Sequence, residues 1–120
     1  MLAGRVVMGL PSDSFVNTVC SYVPFDWDSA KNAANIAKHG ISFEDAARIF
    51  DGPVLERIDM RRDYGEVRII AFGVAEGIEL AVIYTWRGPN RRIISARRAQ
   101  DRERKTYREV YPEQPTGRKD

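Results

Sequence analysis

The 120-residue sequence contains one cysteine, Cys20, and one histidine, His39. One thiol closes no intramolecular disulfide, and one thiol with one imidazole cannot build a Cys/His zinc centre. No apolar run approaches the ~20 residues of a membrane-spanning helix. The short patch Val6–Leu10 is interrupted by Pro11, Ser12 and Asp13 too early for a secretory core, and no small-x-small cleavage site follows. The phosphate-cradling patterns G-x-x-x-x-G-K-[ST] and G-x-G-x-x-G do not occur either. A Ser-His-Asp arrangement would need His39 as its base, and no nucleophile motif accompanies it. The expectation from these absences is a cytoplasmic protein with no cofactor, no metal and no membrane partner. A 43% hydrophobic content still suffices for one small domain around one core.

Charge is what the chain does have, and it is unevenly placed. Between Arg87 and Arg108 eight arginines and one lysine face only Asp101 and Glu103, a local balance of +7 in a chain of net charge +2. The stretch opens as a strand: Arg92, Ile94 and Ala96 alternate with Ile93, Ser95 and Arg97. From Ala99 the period changes, and Ala99, Thr106, Tyr107, Val110 and Tyr111 fall near one helical face.

Read in order, residues 1–22 lack periodicity and carry a turn cluster at Pro11–Ser14, which suggests a dispensable extension before a domain spanning residues 23–111. A short strand is expected at Tyr22–Asp26. Asp28 as N-cap and Gly40 past the C-terminus bound a helix over Ser29–His39. Trp27, Ala30, Ala34, Ala37 and Ile41 form its expected buried stripe, with Lys31, Asn35, Lys38 and His39 opposite, either as a solvated face or as a stripe that meets an anion. Ser42 caps a second helix with apolar residues Phe43, Ala46, Ala47 and Phe50, ended by Asp51-Gly52-Pro53, which makes a helical hairpin. The period then becomes two, with strands at Val54–Asp59, Val67–Val74, Glu79–Trp86 and Arg91–Arg97. Glu79–Trp86 is apolar on both faces, so it is a central strand covered on one side by the hairpin and on the other by the last helix or a partner protein. Residues 112–120 read as a tail. The fold class is therefore α+β: a helical hairpin, a four-stranded antiparallel meander and a C-terminal helix.

The remaining chemistry is anion recognition by arginine, which binds phosphate bidentately and stays charged at every working pH. RNA cleavage without a metal needs a group to orient or deprotonate the 2′-hydroxyl, cations on the phosphorane oxygens, and help for the leaving 5′-oxygen. Arg68, Arg92 and Arg97 are the candidate cations on strands. Lys31, Lys38 or His39 would supply proton transfer if the first helix borders the same cleft, although a histidine in that place also suits the helix C-terminus dipole. Lys38, Arg98, Arg102, Arg104, Lys105 and Tyr107 are candidates for RNA contact, and the same cations equally suit a solvated helix face. Tyr84, Trp86 and Tyr107 either stack on bases or fill the core. Arg68 and Arg97 are expected to matter most, because strands hold side chains more rigidly than a basic helix does.

An ordered set of residues resembles one family. Phe25-Asp-Trp-Asp28, Lys31, Asn35, Lys38-His39-Gly40, Ser42-Phe43-Glu-Asp-Ala46, Phe50, Glu66-x-Arg68, Gly73, Tyr84-Thr85, Arg92-Ile-Ile-Ser-Ala-Arg97, Ala99 and Arg102-Glu103-Arg104-x-x-Tyr107 are together similar to BrnT toxins, from about Val23 to Tyr111. The resemblance implies a RelE-like fold and an endoribonuclease that cleaves RNA and inhibits translation. It also implies a BrnA-type antitoxin with a ribbon-helix-helix region, operator DNA being met only through the toxin–antitoxin complex. The chain departs from the pattern at Trp86, where a polar residue is expected. The competing expectation is a non-catalytic module whose basic strand and helix bind nucleic acid or an acidic protein.

Overall fold

A computed structural model describes residues 23–114; the expected extension over residues 1–22 and most of the tail lie outside the described residues. The chain runs through β1 (Phe25–Trp27), α1 (Ser29–His39), α2 (Phe43–Ala46) and a 3-10 turn (Ala47–Asp51). It continues with β2 (Leu55–Ile58), β3 (Ile69–Ala75), β4 (Ile78–Arg87), β5 (Asn90–Arg98) and α3 (Asp101–Val110). The expected meander is present but is not the whole sheet. The strand order is β1-β5-β4-β3-β2, with β1 joined to β5 in parallel through Phe25–Arg91, Asp26–Arg92 and Trp27–Ile93. The sheet is therefore five-stranded and mixed, and the short first strand sits at Phe25–Trp27 rather than Tyr22–Asp26.

Asp28 caps α1 by accepting from the amides of Ala30 and Lys31, and Gly40 ends it at φ 73°, a left-handed conformation that costs glycine little. The face that α1 turns inward differs from the expected one. Ala30, Ala34 and Ala37 are exposed, whereas Asn35 is buried and Asn32 and His39 are half-buried. The reason lies in β5. Past β1 its outer edge has unpaired peptide groups, and Asn35 satisfies them: Oδ1 accepts from the Ala96 amide (3.1 Å) and Nδ2 donates to the Ala96 carbonyl (2.9 Å). Nδ2 also donates to the Ile41 carbonyl at 2.9 Å. An alanine stripe could not make these bonds, and a buried edge demands them. Asn32 works likewise, its Oδ1 accepting from the Phe43 amide and pinning the second helix to the first.

Two apolar layers flank the sheet. The hairpin inserts Ile41, Phe43, Ala46 and Ile49 against Ala71, Leu80, Val82, Tyr84, Ile93 and Ala96. Each fully buried side chain of Phe or Ile size contributes about 1.5–3 kcal/mol of transfer free energy. Gly73 is required on this face, because a Cβ there would meet Ile49 Cβ at 2.9 Å. On the other face α3 lays Tyr107 over Ile70, Phe72, Ala81 and Ile83. Tyr107 O–H donates to the Pro53 carbonyl (2.8 Å) and Tyr111 O–H to that of Val54 (3.1 Å), so α3 crosses toward β2. Burial, with nearby Tyr111 and acidic charge, pushes the Tyr107 hydroxyl up to about 12. Helix α3 thus supplies the second cover that β4 required.

Candidate active site

Register decides where the arginines point. Ile83 pairs with Ser95 and Tyr84 with Ile93, so Ile94 is an extra residue, a β-bulge. A strict two-residue alternation would put Arg92 and Arg97 on opposite faces. The bulge reverses the alternation between them, so both lie on the α3 face, opposite Thr85 and Ala81 respectively. Arg91 and Arg98, opposite Trp86 and Leu80, lie on the hairpin face. The basic stretch is thereby divided between two faces and two ends of the sheet.

At one end a row crosses the α3 face. Arg68 continues the side of Ile70 and Phe72, Thr85 follows on β4, Arg92 on β5 and Asp26 on β1. Thr85 is buried and donates its Oγ1 proton to the Val67 carbonyl at 2.7 Å, which fixes the middle of the row. Arg92 Nη1 reaches Asp26 at 3.0 Å and Arg68 Nε reaches Glu66 at 3.0 Å. Glu66 also lies 3.6 Å from Arg87. The Arg68 guanidinium stacks 4.2 Å above the Tyr64 ring, whose hydroxyl donates to Asp59 at 3.0 Å. Arg61, which donates to Asp59 through its side chain and its backbone amide, outweighs burial and holds the Asp59 carboxyl well below the usual range. The row thus combines two guanidinium groups, each oriented by a carboxylate, and both side chains keep about a quarter of their surface exposed (24% for Arg68, 27% for Arg92).

Arg97 is five residues from Arg92, about 16 Å along a strand at ~3.3 Å per residue. It belongs to the other end. Its guanidinium makes a bidentate pair with Glu103 at 2.8 and 3.0 Å, and Glu103 also accepts from the Gln100 amide and so caps α3. Burial pushes the Glu103 carboxyl up, but Arg97 and the Gln100 amide outweigh it and leave the group below its ordinary value. Arg97 therefore clamps strand to helix in this structure. Arg104 donates to the Ala99 carbonyl and pairs with Asp101, and Arg108 holds buried Glu79 at 2.8 and 2.7 Å. Arg98, Arg102 and Lys105 are exposed, and no ion pair engages them among the described residues. Tyr107, a candidate RNA contact in the sequence, is 1% exposed, so its ring belongs to the core.

Lys31 and His39 are not brought to the row. Both sit on α1, beside the free edge of β5, eight residues or about 12 Å apart along the helix axis. Neither is hydrogen-bonded or ion-paired to Arg68, Arg92 or Arg97 among the described residues. Lys38 is exposed on the same helix. Glu66 and Arg87 join the row without having been candidates. Arg87 opened the basic stretch, and Glu66 showed only as the Glu66-x-Arg68 spacing, which sets two side chains on the same side of an extended chain.

The fold defines the class first: a small α+β domain whose mixed sheet carries its arginines in rows on both faces. Among curated proteins no sequence matches the chain. The family described as "Ribonuclease toxin, BrnT, of type II toxin-antitoxin system" matches residues 27–103, which hold the sheet from the end of β1 through β5 and the first turn of α3. The 1.1 Å crystal structure of the Brucella abortus ribonuclease toxin BrnT is similar, with 31% sequence identity and a TM-score of 0.51. That similarity covers 67% of this chain and 100% of the Brucella chain. The chain belongs to the BrnT family of ribonuclease toxins.

Proposed function

We propose that this BrnT-family protein is a metal-independent endoribonuclease that inhibits translation by cleaving RNA. In this reading a BrnA-type antitoxin with a ribbon-helix-helix region holds it inactive, and the pair meets operator DNA as a complex. Besides family membership, one observation carries the catalytic reading: Arg68 and Arg92 share a row across Thr85, with Glu66 beside them. An incoming phosphodiester takes the place of Glu66 and Asp26 on the two guanidiniums, which hold its non-bridging oxygens and stabilise the charge that grows there. Glu66, freed from Arg68 and still near Arg87, accepts the 2′-hydroxyl proton. The 2′-oxygen attacks phosphorus, the P–O5′ bond breaks, and the 5′-oxygen leaves toward Arg92 and takes its proton from water. Arg98, Arg102, Arg104, Lys105, Lys31 and Lys38 serve as cations along the path of the strand, and His39 as a hydrogen-bonding group on α1. Arg97 acts through the position of α3.

The test is cleavage of RNA by the purified protein in the presence of a chelator, joined to growth arrest on induced expression and its reversal by the partner. Arg68→Ala and Arg92→Ala should each lower turnover by roughly 10²–10³, the usual cost of losing a donor to transition-state charge. Arg104→Ala should mainly weaken binding. If the two row variants cleave at wild-type rates, the row is not the site.

A further inference from the structure

Arg91, on the hairpin face at the same end of the sheet, is set apart by its surroundings. Arg68, Arg92 and Arg97 each pair with a carboxylate, and Arg91 pairs with none among the described residues. Three aromatic rings surround it instead. Its guanidinium carbon lies 4.2 Å from the centre of the Phe50 ring, 5.0 Å from that of Trp86 and 5.3 Å from that of Tyr84. Its Nε is buried without a hydrogen-bond partner among the described residues. The rings fix the orientation of the cation and attract it through their π faces, but they cannot neutralise it. A half-buried guanidinium whose neighbours are three rings and the Tyr84 hydroxyl, with no carboxylate among the described residues, has donors available for an anion from outside.

The surroundings specify which anion. Trp86, the neighbour of Arg91 across the strand pair, is 44% exposed, and its ring is set edge-on to Tyr84 at 5.7 Å between centroids. Tyr84 is itself fixed, its hydroxyl donating to Glu56 at 2.6 Å. Val67 and Ile58 lie beside this ring system on the same end of the sheet and are 62% and 50% exposed. A rigid, exposed indole next to an unpaired, pre-oriented guanidinium provides a surface for a flat apolar ring bonded to a phosphate. That combination is a nucleotide with an unpaired base.

We infer that Trp86 and Arg91 form a binding subsite for one unpaired RNA nucleotide, the base stacking on Trp86 and its phosphate accepting from Arg91. The inference rests on the ribonuclease reading for the identity of the polymer. The Arg91–Trp86 row and the Arg92–Thr85 row are adjacent in register on opposite faces, so a strand bent around this end of the sheet touches both. Trp86, the position that departs from the family pattern, thereby gains a role in holding a nucleotide, whatever its base, at this end of the sheet.

The probe is a labelled, mixed-sequence 2′-O-methyl single strand, which binds but cannot be cleaved through its 2′-oxygen. Trp86→Ala should weaken binding by roughly 5- to 100-fold, the worth of one base–aromatic stack. Trp86→Phe should fall between that and wild type, and it guards against a misfolded alanine variant. Quenching of tryptophan emission by the probe should occur in wild type and be lost in Trp86→Phe, which keeps Trp27. Arg91→Gln should make the slope of log affinity against log salt shallower by about 0.7, one phosphate contact on a single strand. Wild-type affinity and slope in all three variants would overturn the subsite. So would a loss of affinity for the antitoxin alone, because the patch would then be a protein-docking surface. If wild type binds and is quenched but cleaves no RNA, the subsite stands and the nuclease reading falls. If wild type cleaves while the variants bind unchanged, the subsite falls alone.

Discussion

Replacing Asn35 by alanine should cost more stability than any change on the exposed face of α1. The side chain makes three hydrogen bonds, to the Ile41 carbonyl and to both peptide groups of Ala96, at 2.9, 2.9 and 3.1 Å, and it is 6% exposed. At a net value of about 1 kcal/mol per bond, the loss is about 3 kcal/mol. Stranding the buried Ala96 amide adds to this, and water entering the vacated space subtracts from it. For a domain of this size about 3 kcal/mol corresponds to a fall in Tm of roughly 10–20 °C. Urea denaturation followed by circular dichroism is the direct assay, with a lower midpoint expected at unchanged slope. Asn35→Asp should be at least as harmful, because it sets a carboxylate against two carbonyl oxygens. Lys38→Ala, on the exposed side, should stay within about 0.5 kcal/mol of wild type. A loss below about 1 kcal/mol for Asn35→Ala would show that the edge of β5 does not depend on this amide.

Arg97→Ala should destabilise by about 1–3 kcal/mol by removing the bidentate partner of Glu103, which keeps only the Gln100 amide and the more distant Arg57. Because the Glu103 carboxyl is held below its ordinary value, its contribution is complete above the reference value of 4.5 and is lost as pH falls through the lower folded-state value. The gap between wild type and Arg97→Ala should therefore narrow in acid, and an equal gap at neutral and acid pH would contradict the clamp. Gly73→Ala should cost about 1–3 kcal/mol through the clash with Ile49 Cβ, and adding Ile49→Val, which keeps that carbon, should not recover it. Tyr107→Phe, which removes only the bond to Pro53, should cost about 1 kcal/mol, against about 3–5 for Tyr107→Ala. Equal losses for the two Tyr107 variants would mean that the hydroxyl, and not the ring, holds α3.

The elements were legible in the sequence wherever local chemistry sets them. Asp28 and Gly40 bound α1 as their capping preferences predict, and the two-residue period marked all four meander strands. What escaped depends on contacts distant in sequence. The parallel pairing of β1 leaves no local trace, because its partner is β5. The inward face of α1 was assigned to alanines since apolar residues ordinarily face the core, and here the neighbour is an open strand edge that needs an amide. For the site, the basic stretch was visible, but its division was not. One bulge at Ile94 sets which face each arginine occupies, and composition carries no sign of it. The partners that neutralise Arg97, Arg92 and Arg108 lie 6, 66 and 29 residues away, and the latter two could not be read by spacing.

The parallel joint between β1 and β5 also bears on how the protein is born. Asp26 meets Arg92 across 66 positions of sequence, so the first strand leaves the ribosome long before its partner exists. Chains grow at about 5–20 residues per second, which leaves β1 and the Asp26 side chain waiting for several seconds. Pairings over such spans are also among the slow ones to form. The row of Arg68, Thr85 and Arg92 needs three strands and is completed only when the last of them is in place. A half-made copy therefore carries no assembled row. The interval between emergence and completion is therefore set by the rate of synthesis and by the slow pairing of β1 with β5.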